Sequence, residues 1–165
     1  MNSGGKQSET GIRANLSGAI YGTIVSMTVV ATASKDVGLS PVEIAAWAAS
    51  TGFVFWLVHV YADVVGAGYT TLRDARKHGL HALRDEWPIV KGAMIPALAM
   101  LAAPLGLVDK ESASFFAVCA GILALFATGL LIGAREGQNW GRRIMIGSVN
   151  AFFGLVILAL KIFVH

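Results

Sequence analysis

The chain has 165 residues, of which 55% are apolar and only 14% charged, with a net charge of +3 and a mean hydropathy of +0.64. A soluble domain of this length is not made of such residues, and the basic excess is spread over loops rather than gathered into a nucleic-acid-binding patch, so the composition is that of an integral membrane protein. The single cysteine, Cys119, excludes a disulfide framework or a paired-cysteine metal site within one chain.

Residues 1–13 are set apart as a mobile polar tail, because Met1 to Thr10 is rich in Gly and Ser and has no apolar periodicity to bury. Residues 14–165 are read as one membrane domain. Its first span is predicted over 16–33, just long enough to cross a hydrocarbon core of ~30 Å at 1.5 Å per residue. Ser17, Tyr21, Thr28 and Thr32 share one face of it, and Gly18 and Gly22 form a GxxxG beside that face. Singly, each hydroxyl bonds back to its own helix; together they describe a helix packed at an interface, with its counterpart in a second subunit the expected partner. An alternative for the same stretch is a secretory signal, since Arg13, the apolar core and Ala31-Thr32-Ala33 imitate its three regions.

Lys35 to Pro41 is a turn, with Ser40 placed to cap the next helix and Pro41 at its first position. The second span is predicted over 42–65. Trp47, Trp56 and Tyr61 are its large anchors, and Trp56 suits an interfacial belt. The chain then turns charged, and an amphipathic helix is predicted over 70–86. At ~100° per residue, Asp74, His78, His81 and Asp85 fall within about 60° of one another, with Leu72, Leu80, Leu83 and Trp87 opposite. His59 and Asp63 would join that stripe if the helix ran on unbroken, but Gly66 and Gly68 interrupt it.

Two readings of the stripe stand side by side. It is a solvated helix face with two i,i+4 Asp/His pairs, flanked by Arg73, Arg76, Lys77 and Arg84 that meet anionic headgroups. It is also a candidate site for a divalent metal ion or a proton, because imidazole and carboxylate accept borderline metals and histidine titrates near neutrality. No other cofactor is implied.

A third span is predicted over 89–108, entered through Trp87-Pro88 and interrupted by Pro96, which frees the carbonyl of Gly92, and by Pro104. Lys91 lies one turn inside and can snorkel outward. The fourth span, 115–134, carries Gly129 and Gly133 as a second GxxxG, and the fifth, 144–164, carries Gly147 and Ala151 with Asn150 near mid-depth, where its amide needs a partner.

With the N-terminus inside, ten of the thirteen Lys and Arg residues fall on the inner side and only Lys35, Lys110 and Lys161 on the outer. The expected protein is therefore an all-α integral membrane protein with five transmembrane helices and one cytosolic amphipathic helix, N-terminus in and C-terminus out, multi-pass in the cell (inner) membrane. It has no Walker loop, GxSxG elbow, HExxH or dinucleotide fingerprint, so no enzyme is expected.

Gly18-Ala19-Ile20-Tyr21-Gly22 and the C-terminal stretch from Leu123 to Lys161, with its Arg-rich turn and the Ile146-Gly147 step, resemble the start of the first helix and the last two spans of the vacuolar iron transporter family. The resemblance implies a five-span fold, a homodimer joined through the first helices, and ion transport. The family's intramembrane aspartate falls on Tyr21, and its second-span methionine and glutamate ligands have no equivalent near residues 56–60.

The residues thus point to a small cation or proton transporter or channel. Tyr21, Ser26, Thr28, His59, Asp63 and Asn150 would line its path, and Asp74, His78, His81 and Asp85 would receive the ion. Gly18, Gly22, Gly129 and Gly133 would pack the helices. The alternative is a non-transporting membrane scaffold or interaction protein. The topology is tested by cysteines placed at Ser3 and His165 in a Cys119→Ser background: an impermeant thiol reagent should reach them from opposite sides of the membrane, and labelling from one side would overturn the five-span reading.

Overall fold

The structure, a computed structural model, describes residues 3–68 and 71–163, with side chains from residue 16 onward apart from that of residue 72. The predicted beginning of the amphipathic helix at Thr70, and Val164 at the end of the last predicted span, lie outside the described residues. Within them the chain is all helical: α1 (Ser3–Ala33), α2 (Pro41–Gly66), α3 (Leu72–Asp85), α4 (Trp87–Met100), α5 (Ala113–Arg135) and α6 (Trp140–Phe163). The segment expected as a polar tail is, from Ser3 on, part of α1. No proline interrupts it, and extending a helix already formed by an apolar span needs no new nucleation.

Four helical stretches, Leu16–Ala33, Pro41–Gly66, Ala113–Arg135 and Trp140–Phe163, are long and apolar enough to cross a membrane. Their outer faces carry exposed large side chains such as Phe53, Leu57, Leu123, Leu131, Phe152 and Leu155. A monomer in water rarely exposes so much apolar surface, whereas lipid tails accept it. The bundle is that of a membrane-embedded protein.

α1 is the central element and touches α2, α4, α5 and α6. Its tightest contact is with α4. A Cβ on Gly22 would lie 1.9 Å from the carbonyl oxygen of Ile89, and one on Gly92 would lie 2.0 Å from that of Ala19. Each glycine is thus the hole into which the other helix's backbone fits, a separation at which weak Cα–H···O bonds form. Gly18 faces Pro88 and Ile89 in the same contact. Within the chain, the first GxxxG packs against α4.

α4 continues past Pro96 as one helix. Proline has no N–H, so the Gly92 carbonyl one turn back loses its helical donor. The Thr23 hydroxyl stands 3.1 Å from that oxygen and 2.8 Å from Ala19 O, sharing its proton between the stranded carbonyl and its own helix. Past Met100 the regular helix stops, and Leu101 to Leu107 continue in hydrogen-bonded turns. This corrects the third predicted span: in place of one helix over 89–108 there is one of 14 residues, about 21 Å long against a core of ~30 Å. Pro104 is the cause, since its ring displaces the carbonyl of Met100 and biases Ala103 away from the helical region.

α2 starts in a capping box: Glu43 N donates to Ser40 Oγ, and Ser40 N donates to Glu43 Oε2 at 2.7 Å. It ends where Gly68 takes φ +62°, a left-handed turn open to glycine at little cost. α3 then folds back antiparallel along the last turns of α2, pairing Asp63 with His78, Val64 with Gly79 and Trp56 with Leu83. α5 and α6 form a second hairpin about Gly137, φ +67°. There a Cβ on Gly129 would meet Gly147 Cα at 2.6 Å, and one on Gly133 would meet Arg143 Cα at 2.9 Å.

Gly22→Ala and Gly92→Ala are each expected to destabilise the fold by about 1–3 kcal/mol, the cost of forcing a methyl into a filled core. Gly66→Ala, whose Cβ meets nothing within 4 Å, should stay within about 0.5 kcal/mol. Thermal unfolding in detergent reads the difference, and three equal midpoints would overturn the α1–α4 contact.

Candidate functional site

At the end of the bundle where α3 joins α4, three elements bring polar groups into one pocket. α1 supplies Ser17 and Tyr21, α2 supplies His59, the α3–α4 corner supplies Glu86, and Gly18 and Ile89 complete a volume of about 240 Å³. Glu86 is at once the cap that ends α3 and the cap that begins α4, and Pro88 just beyond sets the first turn of α4. The chain turns a corner there with the carboxylate at its apex.

The Tyr21 ring lies 5.2 Å from that of His59 and 5.7 Å from that of Phe55, tilted against both. His59 Nδ1 is 2.9 Å from Phe55 O. A carbonyl only accepts, so Nδ1 carries the hydrogen, and in the neutral ring Nε2 keeps the lone pair. The Glu86 carboxyl is held above the usual carboxylate range, first by partial burial, which disfavours its charge. The charge of His59 works the other way, and Asp63 and Asp85 raise it further.

An aromatic clamp braces the pocket from outside. Trp56 is buried; its Nε1 donates to Leu83 O at 3.1 Å, one of the last carbonyls of α3, and its ring meets Trp87 edge-on at 5.1 Å and Phe53 at 5.1 Å. The residue expected in an interfacial belt instead pins α2, α3 and α4 together.

Of the expected path residues, Tyr21 and His59 meet. Asp63 is one turn farther out on α2, with Oδ2 2.8 Å from His78 Nε2 in a partly exposed pair. Such a pair contributes about 0.2–1 kcal/mol. Ser26 is fully buried deeper along α1, its Oγ without a hydrogen-bond partner among the described residues. Thr28 is on another face, donating to Ile24 O. Asn150 lies against Gly129 between α5 and α6, and its buried Nδ2 is likewise unpaired among the described residues. These residues do not form one continuous path in this conformation.

The expected metal-binding stripe is divided. α3 turns the small residues Ala75, Gly79 and Ala82 inward, together with His78, and leaves Asp74, His81 and Asp85 exposed. Asp74 Oδ2 accepts from Thr71 Oγ1 at 2.6 Å as part of the N-terminal cap. Among the described residues no three His, Cys, Asp or Glu side chains stand together as a metal site. The correction is physical: close packing on α2 selects the face with small residues, whichever charges it separates.

Sequence reasoning passed over Glu86 and Thr23. The Glu-Trp-Pro step marked the corner, since proline at a helix start places the preceding residue at a cap. The partner of Thr23 across the bundle had no sequence signal. The fold and pocket define a class, an all-α bundle with helices able to cross a membrane and a titratable pocket at one end. Compared with known proteins, the chain matches no family model, no curated protein and no solved structure.

Because Glu86 binds its proton more tightly folded than unfolded, its contribution to stability is complete below the unfolded pKa of about 4.3 and is lost as pH rises through the higher folded value. Glu86→Gln removes this loss. The variant should match the wild type in thermal unfolding near pH 4 and exceed it at pH 8. A gap that is constant with pH would show that the carboxyl is not strained.

Proposed function

We propose that this is a multi-pass protein of the cell (inner) membrane that takes up and moves a proton, with the N-terminus and the α2–α3 hairpin on the cytosolic side. The observation that carries the reading is the meeting of a phenol, an imidazole and a carboxyl from three elements in one pocket at the charged end of the bundle. Ionisable groups at such a place tend to mark pathways. His59 Nε2 is the acceptor, Glu86 is the carboxyl that holds a proton more readily than an exposed one, and Tyr21 bounds the pocket on the bundle side.

A proton fits this set better than a divalent metal ion. Zinc-like ions call for three or four ligands, and no such group stands among the described residues. The resemblance to vacuolar iron transporters implies ferrous ion, but Tyr21 stands where a carboxylate ligand would be needed. Onward movement requires α1 and α4 to part, because Gly22 rests on Ile89 below the pocket. Ser26 Oγ and Asn150 Nδ2, buried atoms without a hydrogen-bond partner among the described residues, are polar groups that an opened form would use.

The same Gly22–Ile89 contact favours the second reading, a non-transporting scaffold whose pocket is closed at its floor. Proteoliposomes decide between them. Wild type should dissipate an imposed pH gradient, with His59→Ala and Glu86→Gln at least about ten-fold slower and His78→Ala unchanged. No flux from the wild type against a panel of ions and a pH gradient would leave the scaffold reading.

A further inference from the structure

The outer face of α3 carries four cations, Arg73, Arg76, Lys77 and Arg84, all exposed. Among the described residues none of the four forms an ion pair or a side-chain hydrogen bond. At ~100° per residue, Arg76, Leu80, Arg73, Arg84 and Lys77 follow one another within about 100° of arc, centred opposite the small residues Ala75, Gly79 and Ala82 that α3 turns inward. The carboxylates of α3 lie off this face. Asp74 and Asp85 fall beyond Lys77, and Asp74 Oδ2 accepts from Thr71 Oγ1. Asp63 of α2 is engaged by His78 on the other side of the helix.

At the centre of the four cations stands Leu80, a large apolar side chain left exposed, and Trp87 is exposed just past the end of the helix. Gly79 lies beside Val64, and Leu83 O accepts from Trp56 Nε1. Leu80 therefore sits alongside the last turns of α2, at the depth where that helix passes from apolar to charged. From Arg73 to Arg84 the face runs about 16 Å at 1.5 Å per residue. No single small anion spans that length; a surface of many headgroups does.

We propose that the outer face of α3 docks on the anionic lipid surface of the bilayer, with Arg73, Arg76, Lys77 and Arg84 among the headgroups and Leu80 entering the interface. Charge complementarity selects anionic over zwitterionic lipid, and the exposed leucine between the cations suits a lipid interface, which has an apolar layer beneath its charge. Leu83 O, bonded to Trp56, and Glu86, the cap that ends α3, belong to the same short helix, so lipid that holds α3 also holds the corner of the pocket. The inference rests on the membrane reading of the bundle.

The test places an environment-sensitive fluorophore on Leu80→Cys in a Cys119→Ser background and reconstitutes the full chain into vesicles of phosphatidylcholine alone or mixed with phosphatidylglycerol. In the mixed vesicles the emission should shift to the blue and be quenched by brominated lipid, and about 1 M salt should reverse both, since it screens exposed charges beyond about 3 Å. Phosphatidylcholine alone should give neither. The variant Arg73→Gln, Arg76→Gln, Lys77→Gln, Arg84→Gln should lose the shift, and Arg73→Lys, Arg76→Lys, Arg84→Lys, which keeps the charge, should retain it. Arg135→Gln, Arg142→Gln at the α5–α6 turn should retain it as well. Equal emission in the two kinds of vesicle would overturn the proposal, as would a shift that survives the four glutamines or is lost equally in the Arg135, Arg142 variant. A shift produced in phosphatidylcholine vesicles by an added DNA duplex or acidic peptide, and not by phosphatidylglycerol, would assign the face to a soluble polyanion and overturn it too. Release of the chain from membranes by alkaline carbonate would instead overturn the membrane reading, which separates the two failures.

Discussion

The contact on which the rest of the structure depends is the backbone-to-backbone approach of α1 and α4. Gly22 admits the carbonyl of Ile89, Gly92 admits that of Ala19, and Thr23 reaches the Gly92 oxygen that Pro96 has stranded. In an apolar surrounding an unpaired carbonyl costs several kcal/mol, so the proline is tolerable because α1 is there to answer it. The helix carrying a defect and the helix carrying the remedy must therefore be neighbours. With α1 and α4 fixed, Met27 of α1 fills the space left by Gly121 and Gly154, which seats the α5–α6 hairpin on the same core.

The pocket follows from that contact and from one more. α4 begins at the level of Gly18, so the corner at Glu86 falls beside Tyr21; Trp56, bonded to Leu83 O and set against Trp87, brings α2 and its His59 to the same corner. Neither the phenol, the imidazole nor the carboxyl is near another in sequence. A carboxyl placed there is partly desolvated by the same packing that aligns it, and its raised proton affinity is a consequence of the fold.

The two ends of the bundle differ in chemistry. One gathers Tyr21, His59, Glu86, Asp63 and His78, groups that exchange protons. The other is an apolar slot lined by Thr28, Ala31, Ile157 and Leu160, with Lys35 and Lys161 at its edge. Between them the core of Met27, Val30, Val118 and Leu125 is closed to solvent, so the proposed movement of a proton is tied to separation of α1 from α4.

The sequence by itself determined the helical class, the membrane character, the capped start of α2, and the break at Gly66 and Gly68, because these rest on composition, local periodicity and positions that suit glycine or proline. Its glycine spacings marked helix contacts at Gly18, Gly22, Gly129 and Gly133 without saying which helix each would meet. The tertiary structure decided the partners: α4 for the first pair, α6 for the second. It also broke the Asp/His stripe that looked continuous on a helical wheel, since α3 presents Ala75, Gly79 and Ala82 to α2. A helical wheel records angle about one axis and knows nothing of the neighbour. Glu86 and Thr23 became legible only in three dimensions, because what distinguishes them is a partner 27 or more residues away in the chain, and distance through space is set by packing rather than by pattern.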